Sequence, residues 1–336
     1  MSQTLAPPRR PRARSVGIGI GIAGILALVA IRLVAPAELG DVLSDRVQDF
    51  ITLSVSVVIE SLPFVFLGIG LSIGVQLFLP EDFLIRRLPR NPVLRRIVVS
   101  LLGVLLPVCE CGNVPLARGL IQRGLTVGES MTFLLAAPIL NPVTIITTYQ
   151  AFGWDDGILI ARIAGGFLVA NLVGWVYSRH PQPMSLLTPR FQAACAHPGS
   201  DASSKPRKAA RMFAEETSAM LPALFVGSAI AGLIQVAVSR DFLITLGQNP
   251  ILSVFALMLL AFVISICANV DAFFVLSFGS TFMPGAIVAF LVFGPMIDIK
   301  MLALMRTTFT ARTLVQLTAI VGLASAAIGL GVNLVA

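Results

Sequence analysis

Residues 107–115 read PVCECGNVP and follow directly on the apolar run Ile97 to Leu106, so two thiols, a carboxyl and an amide stand between two prolines in a stretch that otherwise suits lipid. Irregular backbone and ionisable groups are tolerated at membrane depth only where protein or a water-filled cavity surrounds them. The stretch therefore reads as a broken helix at a site through which solute passes. Such a site requires flanking membrane spans, a counterpart to the break elsewhere in the chain, and other charges placed outside the bilayer.

Of the 336 residues, 56% are hydrophobic and 12% charged, with a mean hydropathy of +0.91, which marks a polytopic membrane protein. Val16 to Val34 is long enough to span and lacks a small-residue cleavage site. It reads as a first membrane helix over residues 16–36, with Gly17 and Gly21 offering a close-packing face. The net charge of +7 does not indicate nucleic acid, because the basic residues fall where membrane orientation puts them.

Residues 1–15, with Arg9, Arg10, Arg12 and Arg14, form a cytoplasmic arm, and Glu38, Asp41, Asp45 and Asp49 place the segment after the first helix outside. The arginines from Arg86 to Arg96, Arg118 and Arg123, the Pro/Ser-rich linker at 179–212, and Lys300, Arg306 and Arg312 are then all cytoplasmic. Of the 24 Lys and Arg residues, only Arg32, Arg46, Arg162 and Arg240 fall elsewhere. Trp154, Asp155 and Asp156 mark an outer interface, and the chain ends outside. Arg118 and Arg123 follow Ile97 too soon for two ordinary spans, so 97–123 reads as a re-entrant hairpin. Residues 251–278, interrupted at SICANVD, read as a second one entering from the other side.

The counterpart to the break is explicit. Cys111-Gly112-Asn113-Val114 recurs as Cys267-Ala268-Asn269-Val270 at an offset of 156 residues, and Pro138-Ile139-Leu140-Asn141 recurs as Pro295-Met296-Ile297-Asp298 at an offset of 157. Ser61-Leu62-Pro63-Phe64 likewise resembles Met220-Leu221-Pro222-Ala223. On the charge map the repeat at 50–178 begins outside and the repeat at 213–336 begins inside. The expected fold is an all-α polytopic membrane protein with an inverted-topology repeat, about seven full transmembrane helices and two re-entrant hairpins whose tips meet near the bilayer midplane.

Cys109, Cys111 and Cys267 are the expected substrate contacts, since soft thiols select thiophilic species such as Cu(I), Zn(II) or trivalent arsenic. Asn113 and Asn269 at equivalent tip positions either satisfy backbone groups freed by the breaks or touch substrate, and Asn141 joins them. Glu60, Glu110, Asp271 and Asp298 lie in apolar segments and are the proton-coupling candidates; Glu60 and Asp298 suit equally a protonated carboxyl bonded to a neighbouring helix. Arg162 reads as snorkelling to the outer interface, with pairing to a buried carboxyl as the alternative. Cys195, His180 and His197 are loop residues, so no resident metal or cofactor is expected. The expected partners are a small-molecule or ion substrate and the lipid bilayer, not nucleic acid. The Gly-bearing apolar helices suit a homo-oligomer as well as a monomer.

The runs PVCECGNVPLARGL, AAPILNPVTI, CANVDAFF and FGPMIDIKM resemble the YraQ/ArsP-type bacterial permeases, over about Phe50 to the C-terminus without the linker. The resemblance implies a permease of the bacterial cytoplasmic membrane rather than an enzyme, in a family where some members export trivalent organoarsenicals such as methylarsenite. Joined to the three thiols, it points to efflux of a soft, thiol-reactive solute by way of the two opposed C-x-N-V tips. Import of a sulfur-containing anion, a thiol oxidoreductase using Cys109 and Cys111, and a channel are the alternatives. Against the oxidoreductase stands the C-x-C spacing, which strains a disulfide.

Overall fold

Prolines and small polar residues, rather than changes in hydropathy, divide this apolar chain into helices. The computed structural model describes residues 45–78, 87–105, 108–154, 156–196, 204–237, 249–279 and 281–335. The arm at 1–15, the helix expected at 16–36, His197 and Arg240 lie outside the described residues. The first half comprises α1 (Asp45–Phe78), α2 (Pro92–Leu105), α3 (Glu110–Gln122), α4 (Val127–Leu140), α5 (Pro142–Phe152) and α6 (Ile158–Ser178). A 3-10 turn (Pro183–Leu186) and α7 (Pro189–Ala196) follow. The second half comprises α8 (Lys205–Ala237), α9 (Leu252–Ile264), α10 (Asp271–Leu276), α11 (Pro284–Met296), α12 (Ile299–Met305) and α13 (Ala311–Val335).

One succession occurs twice. A long helix with an internal proline (Pro63, Pro222) leads into a broken pair, then a proline-bearing helix (Pro138, Pro295), a short helix and a final long helix. The repeated four-residue runs that end in Asn141 and Asp298 sit at equivalent breaks. Asn141 caps α5 by accepting from the Val143 N–H at 2.9 Å, with Pro142 at the first helical position. Asp298 caps α12 by accepting from the Met301 N–H. Among the described residues five stretches are long and apolar enough to cross a membrane, namely α1, α6, α8, α11 continued by α12 (Pro284–Met305) and α13, or six if the pair α4–α5, bent by 41°, is one span.

Distant contacts define two ends of the bundle. At one end Arg95 at the start of α2 pairs with Glu129 at the start of α4 at 2.7 Å, Arg96 reaches Ser178 at the end of α6 at 3.4 Å, and the Tyr177 hydroxyl donates to the Thr313 carbonyl at the start of α13 at 3.2 Å. The described part of the inter-half stretch packs onto this same end. Leu187 bridges to Phe309, and Leu186, Leu187 and Phe191 are buried. At the other end Asn333, near the end of α13, accepts from the Gly285 N–H at 2.8 Å and donates to the Pro250 carbonyl at 3.1 Å, gathering the starts of α9 and α11. The 25 residues of α13 separate the two ends by about 37 Å. α2 and α3 leave the first end and return to it, each limb about 20 Å long and too short to cross.

Apolar helices gain nothing by leaving lipid for one another, so their association depends on close contact. α1 lies against α3 backbone to backbone: a Cβ on Gly68 would strike the Gly112 carbonyl, and one on Gly112 would strike the Phe64 carbonyl and the Val108 side chain. Gly128 and Gly285, equivalent by the 157-residue offset, meet the backbones of α6 and α13 in the same way. Gly112→Ala should therefore destabilise by about 1–3 kcal/mol, read as a lower unfolding temperature in detergent. Gly70→Ala, with nothing within 4 Å of the added carbon, should not lower it.

Candidate functional site

The site is built from both broken pairs. In the first half Cys109, in extended conformation (φ −72°, ψ 172°), precedes α3, which begins at Glu110. The break is held by Asn141, whose amide donates to the Val108 carbonyl at 3.3 Å. In the second half α9 ends at Ser265, whose φ of +54° is the one positive value at a non-glycine among the described residues. Such strain persists only where the surroundings enforce it. Here the Ser265 carbonyl accepts from Lys300 Nζ at 3.3 Å.

The three thiols converge. Cys109 lies beside both Cys111 and Cys267, and the Sγ atoms of Cys109 and Cys111 and a Glu110 carboxylate oxygen lie within 4.8 Å of one another. Cys267 Sγ donates to Glu110 Oε2 at 3.6 Å, and Lys300 Nζ stands 3.2 Å from Glu110 Oε1. All three thiols are free, and Cys109, Glu110, Cys111, Cys267 and Lys300 are each at most 4% exposed. Burying an ammonium is tolerable here because a carboxylate and a carbonyl compensate it. Asn113, one turn along α3, is fully buried with neither amide atom partnered among the described residues. An unmade buried hydrogen bond costs about 1–3 kcal/mol, so a ligand group that satisfies this amide recovers that cost.

The remaining expected residues are distributed differently. Asn269 is half-buried and accepts from the Thr144 hydroxyl at 3.2 Å, so the two equivalent asparagines are in unlike surroundings. Asn141 has both ends of its amide engaged at the breaks. Asp298 caps α12 beside Lys300 and Glu110. Glu60 is exposed on α1 and is not part of the cluster. Asp271 forms a two-pronged ion pair with Arg162, at 2.6 and 2.9 Å, and Arg162 also donates to the Thr148 hydroxyl at 2.7 Å. Arg162 is 1% exposed, so it pairs with a buried carboxyl and does not snorkel.

Two residues read as cytoplasmic charge markers are instead buried. Lys300 is inside because α12 starts immediately after the Asp298 cap, which carries the lysine to Glu110. Arg118 pairs with Glu216 at 2.9 Å, donates to the Thr307 carbonyl and the Thr308 hydroxyl at 3.1 Å each, and stands 4.3 Å over the Phe191 ring. The sequence carried one signal for both: Lys300 is followed by MLALM and Arg118 lies within PLARGL, apolar settings unlike those of solvated loop charges. Cys195, outside the membrane-spanning segments, has its thiol pKa pushed up by burial, and the nearby Arg118 guanidinium draws it part of the way back.

Comparison with known proteins shows the family of the chain. The chain is 36% identical over 258 residues to the UPF0718 protein YcgR of Bacillus subtilis, covering 77% of this chain and 88% of that protein. It is 31% identical over 278 residues to a putative two-component membrane permease complex subunit of Streptococcus mutans, covering 82% and 91%. A shorter match, 29% over 131 residues, covering 38% of this chain and 35% of that protein, is to the UPF0718 protein YraQ of Escherichia coli. No solved structure matches the chain. The pattern of the ArsP_1 family, described as predicted permease, matches residues 46–334, and with its apolar helices and two broken pairs the chain belongs to that family of multi-pass membrane permeases.

Proposed function

We propose that this permease moves a soft, thiol-reactive solute of the trivalent organoarsenical type outward across the cytoplasmic membrane, by way of Cys109, Cys111 and Cys267. The observation that carries the reading is the meeting of three free, buried thiols from both halves of the chain. With methylarsenite, each As–S bond forms as an As–O bond breaks, and the thiol proton leaves with the hydroxyl as water. Arsenic stays trivalent and no net charge enters the site. Release is the reverse hydrolysis. The two ends of the bundle support inverted repeats with re-entrant hairpins, since the first broken pair starts and finishes at one end while the second starts at the other.

Glu110 pairs with Lys300 at 3.2 Å, and Asp298, which caps α12, adds a second carboxyl close to the same ammonium. That excess carboxyl disfavours an anionic solute and is neutralised by a proton, which makes this cluster the coupling centre. Asp298→Asn keeps a cap-forming side chain, the one already present at the equivalent Asn141. The variant should fold and carry solute but lose the response to a collapsed proton gradient.

Everted membrane vesicles given methylarsenite or thiosulfate test the reading. Saturable, gradient-driven methylarsenite uptake that Cys109→Ser removes is the expected result. Uptake of methylarsenite unchanged by Cys109→Ser would remove the thiols from the mechanism, and a preference for thiosulfate would favour import of a sulfur-containing anion.

A further inference from the structure

The thiol cluster lies between two buried ion pairs, each joining the two halves of the chain, at opposite ends of the bundle. Arg118 on α3 pairs with Glu216 on α8, capped by Phe191, Thr307 and Thr308. This pair belongs to the end that holds the inter-half stretch, and it lies seven residues of helix, about 10 Å, beyond Cys111. Arg162 on α6 pairs with Asp271 at the start of α10, four residues after Cys267. Because Ser178 marks the first end, Arg162 stands about 24 Å from it along α6, on the far side of the thiols. Arg162 and Asp271 side chains are 1% and 3% exposed, and those of Arg118 and Glu216 are 9% and 10% exposed.

We infer that Arg162–Asp271 and Arg118–Glu216 are the two gates of the permease: the structure is the occluded state with both closed, and breaking one pair opens the thiols to one side of the membrane only. This rests on the reading of the thiol cluster as the transport site. Each pair links a limb of one broken pair to a helix of the other half, so its rupture frees that limb where it leads to the thiols. A buried ion pair is a two-state latch: made, it excludes water, and with one partner neutralised the remaining charge must seek water. Arg95–Glu129 is not a gate, since both residues belong to the first half.

The test is thiol labelling by a sulfonated maleimide that does not cross the bilayer, in a Cys195→Ser background so that Cys109, Cys111 and Cys267 are the only thiols. Asp271→Asn should accelerate labelling roughly tenfold or more from the outer face alone, and Glu216→Gln should do so from the cytoplasmic face alone, because losing one partner of a buried pair shifts an opening equilibrium by at least that factor. The exchanged pairs, Arg162→Asp with Asp271→Arg and Arg118→Glu with Glu216→Arg, should restore slow labelling. A merely structural role would raise labelling from both faces in both single variants, and that result, or no acceleration in folded protein, overturns the gates. Labelling needs no arsenical, so failure of the gates is distinguishable from failure of the substrate assignment. If even the single variants do not fold, the Cys195→Ser protein decides without solute: two closed gates predict slow labelling from both faces and fast labelling once the protein is unfolded, and fast labelling of the folded protein from both faces overturns them.

Discussion

Cys109→Ser is expected to weaken methylarsenite binding by about 10²–10⁴-fold, the advantage that a second, intramolecular thiol gives over one thiol alone. The size of the effect follows from the placement: Cys109 lies beside both Cys111 and Cys267, so its loss removes both two-thiol arrangements at once. Cys111→Ser or Cys267→Ser leaves one arrangement intact and should cost only about two- to tenfold. The Cys111→Ser, Cys267→Ser double variant should match Cys109→Ser. Titration of purified protein with methylarsenite, followed by the count of thiols remaining free, measures all four. Equal effects of the three single substitutions would mean that the thiols act as separate contacts and not as a chelate centred on Cys109.

Lys300→Met should destabilise the protein by about 3–5 kcal/mol, because it leaves the Glu110 carboxylate buried without its partner. The double variant Glu110→Gln, Lys300→Met removes both charges and keeps similar volumes, so it should regain most of that loss. Unfolding temperatures in detergent for the two singles and the double give the coupling directly. Full stability of Lys300→Met alone would show that Glu110 is not held as a carboxylate by this lysine.

Much of this site was legible in the sequence, for a physical reason. A helix broken inside a membrane must announce itself with proline, glycine and polar side chains, and PVCECGNVP, SICANVD and the paired runs at 138–141 and 295–298 do so. The repetition of those marks placed Cys111 and Cys267 at equivalent tips, and the structure brings their thiols into one cluster with Cys109. Partners were not legible. Glu110 and Lys300 are 190 residues apart in the chain and Arg162 and Asp271 are 109 apart, and no local pattern links them. Counting positive charges by side also treats every arginine or lysine near a span end as solvated, which missed the burial of Lys300 and Arg118. The apolar neighbours of both are the better guide. Buried carboxyls in three segments demand counter-charges, and basic residues in apolar settings are where to seek them.

The most direct test of the account is X-ray absorption at the arsenic edge of the purified permease loaded with one equivalent of methylarsenite. The account predicts about two As–S contacts beside the As–C bond, with the oxygen shell of free methylarsenite replaced, and loss of the second sulfur in Cys109→Ser. An arsenic that keeps its oxygen shell in the loaded protein would contradict thiol capture at this site.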